Sequence, residues 1–421
     1  MPNRVNTTPP ADGGVNPVAA DRTGSVLAWV LDRSHEASAR QVPALIEEAA
    51  QRLGLTGTRL YLSDLQQVRL VALPQLAAER PETAETAEAD EQAEALDIDA
   101  SLAGLAYRAQ QVQTSRDRTT AWVPMVDGVE RVGVMRATGP ALDEQDLEGC
   151  LALAALATLI VISKSTHNDL LVERGRSRPM TLQAELLWAF LPPRTIGTSQ
   201  ATSTAVLEPA YDIGGDAFDH NFSDGGLHLT LLDAMGHDLA AGGASAAGLA
   251  ACRSTRRAGG DLQDIATTIE RTLRSWIPDR LMTGILAHLD TRRGEFAWIN
   301  CGHPPPLLIR DGHVVPAALE RPPQLPLGLG YHEDAPPPLH RARLQPRDRV
   351  LLYSDGVTEA RSATGELFGE ERLGDTVIRS MASGTTAPEA LRRLILELLT
   401  HQDQRLHDDA TILLCEWHPT A

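Results

Sequence analysis

The stretch YDIGGDAFDHNFSDGGLHLTLLDAMGHD, residues 211–238, decides how the C-terminal half of this chain folds. Leu227–Leu232 is short, apolar-rich and bounded by turn residues, which predicts a strand. Asp224-Gly225-Gly226 just before it is a hairpin signal. Asp233 ends the strand, and Asp216 follows Gly214-Gly215. Working outward, further strands are predicted at Ala205–Glu208, Gly284–Leu289, Glu295–Asn300, Leu307–Arg310, Val350–Tyr353 and Ala410–Cys415. Asp311-Gly312 marks a second hairpin. Helical stretches fall between them at Leu239–Arg257, Leu262–Trp276, Glu371–Met381 and Pro388–His401. Strand runs with helices inserted in pairs predict an α/β fold, two sheets with helices packed outside them.

The aspartates follow the strands. Asp355 ends VLLYSD and precedes Gly356, and Asp408-Asp409 immediately precede ATILLC. With Asp216 and Asp233, four strand ends each present a carboxylate. Any one Asp-Gly of this kind is an ordinary turn. The set points elsewhere, because hard divalent cations take oxygen ligands and Mg²⁺ keeps several waters beside a few carboxylates.

From about Leu182 onward the flanking words resemble, in order, the SpoIIE/RsbU-type phosphatases, a bacterial branch of the type 2C metal-dependent protein serine/threonine phosphatases. LQAELLWAFLPP, YDIGGDAFD, LLDAMGHD, INCGHPPPLLI, YSDGVTEARSATGELFGEERL and HDDATILL each have a counterpart there. Six elements in order over about 230 residues are far more specific than any lone motif. The resemblance implies a type 2C-like sandwich and two divalent cations, Mn²⁺ or Mg²⁺. It implies that Asp233 bridges the ions, that Asp355 and Asp408 complete one site, and that Asp216 completes the other with the backbone carbonyl of Ala234. These four aspartates are then the catalytic group, and Asp409 joins the metal-binding set as a support for the ligands. The implied substrate is phosphoserine or phosphothreonine on a protein regulator, an anti-sigma-factor antagonist.

Two positions depart from the family pattern. Ala234 and Asp238 stand where glycine is usual, and a return to glycine at either is expected to keep or raise activity. These departures are the support for an alternative, a pseudo-phosphatase that binds its partner without turnover. His303 reads as a structural loop residue, and His237 and His407 as neighbours that orient ligands. The GGDAFD element has no following Lys-Ser/Thr, so it is not a nucleotide P-loop.

The N-terminal half is smaller. Residues 1–24 read as a disordered tail and 25–163 as a small α/β domain, with 164–190 a helical linker and 191–418 the phosphatase domain. The first helix is expected at Ser38–Leu53, strands at Arg59–Leu62 and Gln67–Leu73, and a helix at Leu102–Arg108. A hairpin follows, Thr120–Pro124 and Arg131–Arg136 joined through Asp127-Gly128, then a closing helix from Asp143 past Ile162. Glu79–Asp99 carries nine acidic residues and reads as a solvated helix or loop. The order resembles a GAF-type sensor domain in layout; a dimerisation domain fits the same order.

Composition narrows the partners. The chain has 421 residues and a formal net charge of −18, from 56 acidic and 38 basic residues. That balance disfavours nucleic acid and anionic membranes. Four scattered cysteines without a C-x-x-C pair suit a reducing cytoplasm. The run CLALAALATLIVI, residues 150–162, is short of the roughly 20 residues that span a bilayer, so a buried helix is expected. Its apolar face needs a cover, either the core of its own domain or a second copy, and a homodimer is the expectation if the second copy supplies it.

Overall fold

The computed structural model describes residues 17–74, 95–403 and 406–419. The chain divides into two compact units between Arg178 and Pro179. The break falls inside the segment expected to be a linker. The closing helix Glu144–Ser165 and the linker helix Asp169–Arg174 belong to the first unit, and the linker helix Leu182–Phe190 to the second.

In the first unit six antiparallel strands form one sheet, β1 (Gly57–Ser63), β2 (Arg69–Ala72), β3 (Ala95–Asp97), β4 (Gln113–Thr114), β5 (Thr120–Asp127) and β6 (Glu130–Thr138). They lie in the order β3-β2-β1-β6-β5-β4. Period-two alternation sorts their side chains. Leu60, Leu62, Val123, Met125 and Met135 enter one core with the helices Val42–Leu53 and Glu144–Ser165. Tyr61, Leu70 and Val134 face the other way, against helix Leu102–Ala109. The helix Pro17–Ser34 replaces the last part of the expected tail. Val26 and Val30, four apart, dock it on the first core. Most of the acidic stretch lies outside the described residues; its end forms β3.

Glu144–Ser165 is 22 residues long, beyond the apolar run itself, and is long and apolar enough to cross a membrane by length and composition. Asp143 opens it with a reciprocal cap, accepting from the Asp146 amide at 2.8 Å while Asp146 accepts from the Asp143 amide at 3.1 Å. Within this unit it puts Cys150, Leu153, Ala154, Ala157, Ile160 and Val161 into the core.

The second unit is a four-layer sandwich. One antiparallel sheet runs β15-β12-β11-β10-β9, the other β14-β13-β16-β17-β8-β7. The strands are β7 (Thr195–Gly197), β8 (Ala201–Glu208), β9 (Asp216–Ser223), β10 (Gly226–Ala234), β11 (Met282–Asp290), β12 (Glu295–Cys301), β13 (Leu307–Arg310), β14 (His313–Val315), β15 (His340–Arg343), β16 (Arg349–Tyr353) and β17 (Ala410–Trp417). Val350, Leu352, Leu413 and Cys415 point into the space between the sheets with Leu229 and Leu231. Their neighbours Leu351, Tyr353, Ile412 and Leu414 turn outward under the helices Gly369–Ala382 and Ala387–His401. The helices Leu239–Arg257 and Leu262–Trp276 cover the five-stranded sheet. This is the expected two-sheet α/β sandwich, with the termini of β9, β10, β16 and β17 gathering the aspartates.

Candidate active site

Strand pairing does the first part of the assembly. β9 and β10 are antiparallel with Asp216 directly opposite Asp233, and β10 and β11 set Thr283 opposite Asp233. Asp355 begins the short helix Asp355–Thr358 just after β16, and Asp408 and Asp409 precede β17 in the facing sheet. Two glycines allow the close approach this requires. A Cβ at Gly215 would sit 2.0 Å from the Ala234 carbonyl oxygen, and one at Gly356 would sit 2.0 Å from that of Asp409.

Asp409 ties the two sheets together. Its carboxylate accepts from the backbone N–H groups of Gly214 (2.8 Å), Gly215 (2.8 Å) and Asp216 (3.0 Å). Both of its oxygens are engaged in this way. Ser245 holds the other side of the same loop through the Gly215 carbonyl. Ser354 links β16 to β17, donating to the Asp409 carbonyl at 3.2 Å and accepting from the Thr411 amide at 2.9 Å.

Among the described residues, the charges acting on Asp216, Asp233 and Asp355 are those of other carboxylates. Asp216 is 2% exposed, and among the described residues its Oδ2 has no hydrogen-bond partner. Burial, then the charges of Asp233 and Asp409, hold its carboxyl well above the ordinary range. Asp233 is pushed up to about 7 by burial, then by Asp355, Asp408 and Asp409. Asp355 and Asp408 are exposed and open the group to solvent. Among the described residues no three His, Cys, Asp or Glu side chains close into a ready-made ion cage. The donor set nonetheless fits a hard divalent cation that completes its shell with water. It is all oxygen, and it includes a buried carboxylate oxygen with no partner among the described residues beside a second carboxylate that burial and its acidic neighbours push up to about 7.

His303 is buried between the sheets. Its Nε2–H donates to the Tyr353 carbonyl at 3.1 Å, so Nδ1 accepts from the Thr283 hydroxyl at 2.7 Å. Burial pulls its pKa down to about 4, and Asn300 braces its backbone at 2.8 Å on both sides. This is a structural link from β12 to β16, as the loop reading expected. His237 and His407 are exposed. Ala234 lies in β10 with no left-handed backbone, so its departure from glycine is unstrained. Asp238 caps helix Leu239–Arg257, accepting from the Ala241 amide at 2.9 Å, and pairs with Arg280 at 2.6 Å. Arg280 and Thr283 lie outside the motifs. The only sequence signal for Arg280 is the extra charge at Asp238, which asks for a cation.

The family model described as Stage II sporulation protein E (SpoIIE) matches residues 223–418. Protein IcfG of Synechocystis sp. is 26% identical over 126 residues, 30% of this chain and 19% of that protein. Phosphoserine phosphatase RsbU of Bacillus subtilis is 24% identical over 211 residues, 50% of this chain and 61% of that protein. The chain therefore spans less than two thirds of the length of either of these relatives. The SiaA-PP2C domain of Pseudomonas aeruginosa is a similar solved structure, at 21% identity and a TM-score of 0.47, over 56% of this chain and 94% of that one. The family match runs through β10, β11, β12, β16 and β17, so the C-terminal unit is similar to the SpoIIE family over residues 223–418 and to the phosphoserine phosphatase RsbU.

Proposed function

We propose that the C-terminal unit hydrolyses phosphoserine or phosphothreonine on a protein, with two divalent cations, Mn²⁺ or Mg²⁺, held by Asp216, Asp233, Asp355, Asp408 and the Ala234 carbonyl. The observation that carries this reading is the unpartnered Oδ2 of buried Asp216 beside Asp233. Such a pair is costly unless an external cation resolves it. When bound, the cations would supply a nucleophilic water near neutral pH and offset phosphoryl charge. The chain's own residues do the rest. Asp409 fixes the Gly214–Asp216 backbone and so the direction of Asp216, and His303 holds Thr283 beside Asp233. Exposed Asp355 and Asp408 leave the mouth open to a phosphorylated side chain on a folded partner. The family resemblance and the name of RsbU support a phosphoprotein, with an anti-sigma-factor antagonist the first candidate. The first unit is then a GAF-like regulatory and dimerisation module, and four buried free cysteines suit a cytoplasmic setting.

Neither departure from the family pattern favours a pseudo-phosphatase, since Ala234 is unstrained and Asp238 is neutralised by Arg280. The test is phosphate release from a phosphoserine peptide and from p-nitrophenyl phosphate during a Mn²⁺ titration of the full chain. Turnover absent in wild type, or undiminished in Asp216→Asn, defeats the proposal.

A further inference from the structure

We infer that Asp238 and Arg280 form a positioning clamp on the loop after β10, an inference that rests on the proposed metal site. One guanidinium makes two bonds. Nη1 donates to the Met235 carbonyl at 2.9 Å, and Nη2 to Asp238 Oδ2 at 2.6 Å. The other Asp238 oxygen caps the helix Leu239–Arg257. Both oxygens are thus engaged by donors of the chain itself, which sets Asp238 apart from the proposed metal ligands. It connects the helix start to the loop through Arg280.

The loop between them is the part that matters. The Met235 amide donates to the Leu281 carbonyl at 2.9 Å. In a trans peptide the carbonyl on the other side of that bond points the opposite way. The Ala234 oxygen is thus aimed at Gly215, which has no Cβ to cover it. Arg280 holds the next carbonyl along, and Gly236, at φ +101, turns the chain beside it. A Cβ at Gly236 would lie 2.8 Å from Arg280 Nη1. Fork, glycine and acid fit one another, which explains how this chain carries an acid where its family carries glycine. Lysine cannot replace the fork, because a single ammonium lacks its fixed two-pronged geometry. Asp238→Gly, expected from sequence to relax the loop, instead removes the cap and releases Arg280.

The clamp is tested on the full chain, first without metal. Hydrogen exchange at the Met235 amide is expected to quicken roughly tenfold in Arg280→Gln, and Mn²⁺ affinity by calorimetry to fall by a similar factor, the size that residues supporting metal ligands produce. Asp238→Asn keeps the cap oxygen but loses the charge, and should show a smaller loss of both kinds. Combining it with Arg280→Gln should add nothing, since the two act as one unit. Arg280→Lys should stay close to Arg280→Gln. Unchanged exchange in Arg280→Gln, or losses that simply add in the double variant, overturns the clamp. A raised KM for p-nitrophenyl phosphate with exchange and Mn²⁺ affinity intact also overturns it, and would make Arg280 a phosphate ligand. If wild type binds no Mn²⁺, the metalloenzyme reading fails while the exchange data still decide the clamp.

Discussion

Asp216 and Asp219 lie three residues apart on β9 and are equally buried, at 2% exposure each. Their fates differ. Asp219 faces the helix Leu239–Arg257, where Arg253 meets it at 2.7 Å and Arg256 at 2.8 Å. Burial alone would raise its carboxyl, but the two guanidiniums outweigh it and hold the group below its ordinary value. Asp216 faces the other way, toward Asp233 and Asp409, and is raised instead. Residue type, strand and burial are shared, so the difference is whether the chain itself supplies the cation. A buried carboxylate with its counter-charge in the same chain is part of the scaffold. One without it is where function is to be sought.

The largest effect that can break this contrast is catalytic. Asp233→Asn should cost on the order of a thousandfold in turnover at saturating Mn²⁺, since several kcal/mol of charge stabilisation is removed. Its circular dichroism should be unchanged, and near-normal turnover would remove Asp233 from the site. Stability in chelator should separate the two aspartates on β9. Asp219→Asn strands two guanidiniums and should lose about 3–5 kcal/mol in urea unfolding. Asp216→Asn should instead raise the midpoint, at the expense of activity; a shared destabilisation would erase the distinction.

Acidity gives a subtler measurement. Asp233 has a folded value of about 7, above its unfolded value of about 3.9. Its contribution to metal-free stability is therefore fully present below about pH 4 and is lost as pH rises through about 7. The drop should be roughly a few kcal/mol at most, and Asp233→Asn should flatten it. The smallest effect belongs to Ala234→Gly. It should leave turnover within about twofold and cost about 0.5–1 kcal/mol of stability, through backbone entropy alone.

The sequence made the paired aspartates legible because each stands at the end of an apolar run or beside glycine. The strand that carries Asp216 was not. DAFDHNFS mixes acids, histidine and asparagine, since one of its faces serves the site and the other the arginine pair, so no simple alternation survives. β15, HRAR, is a polar edge strand, and edge strands lose the apolar signal that burial on both faces imposes. The helix Pro17–Ser34 was obscured by Thr23, Gly24 and Ser25 in its middle, and its docking rests on Val26 and Val30 with Leu27 and Trp29 packed partly beside them. Arg280 is 42 residues from Asp238. A pairing at that range is set by the turn from helix Leu262–Trp276 into β11, and no local pattern announces it. His303 was readable as structural because it stands in the loop Cys301–Pro306, between Gly302 and three prolines, where a lone histidine more often braces a loop than does chemistry.

The place of β17 has a consequence for synthesis. It lies inside its sheet, between β16 and β8, and Asp409 just ahead of it binds backbone made 193 to 195 residues earlier. At about 5–20 residues per second, a ribosome finishes β10 roughly ten to forty seconds before it reaches β17. Throughout that interval one sheet lacks its inner strand, and once β16 is made the place between it and β8 stays open until β17 arrives. The nascent domain also lacks Asp408 and Asp409, so a chain stalled on the ribosome holds an incomplete aspartate group. The aspartate group comes into being only with the strand that closes the fold, so translation sets the earliest moment at which the proposed activity can begin.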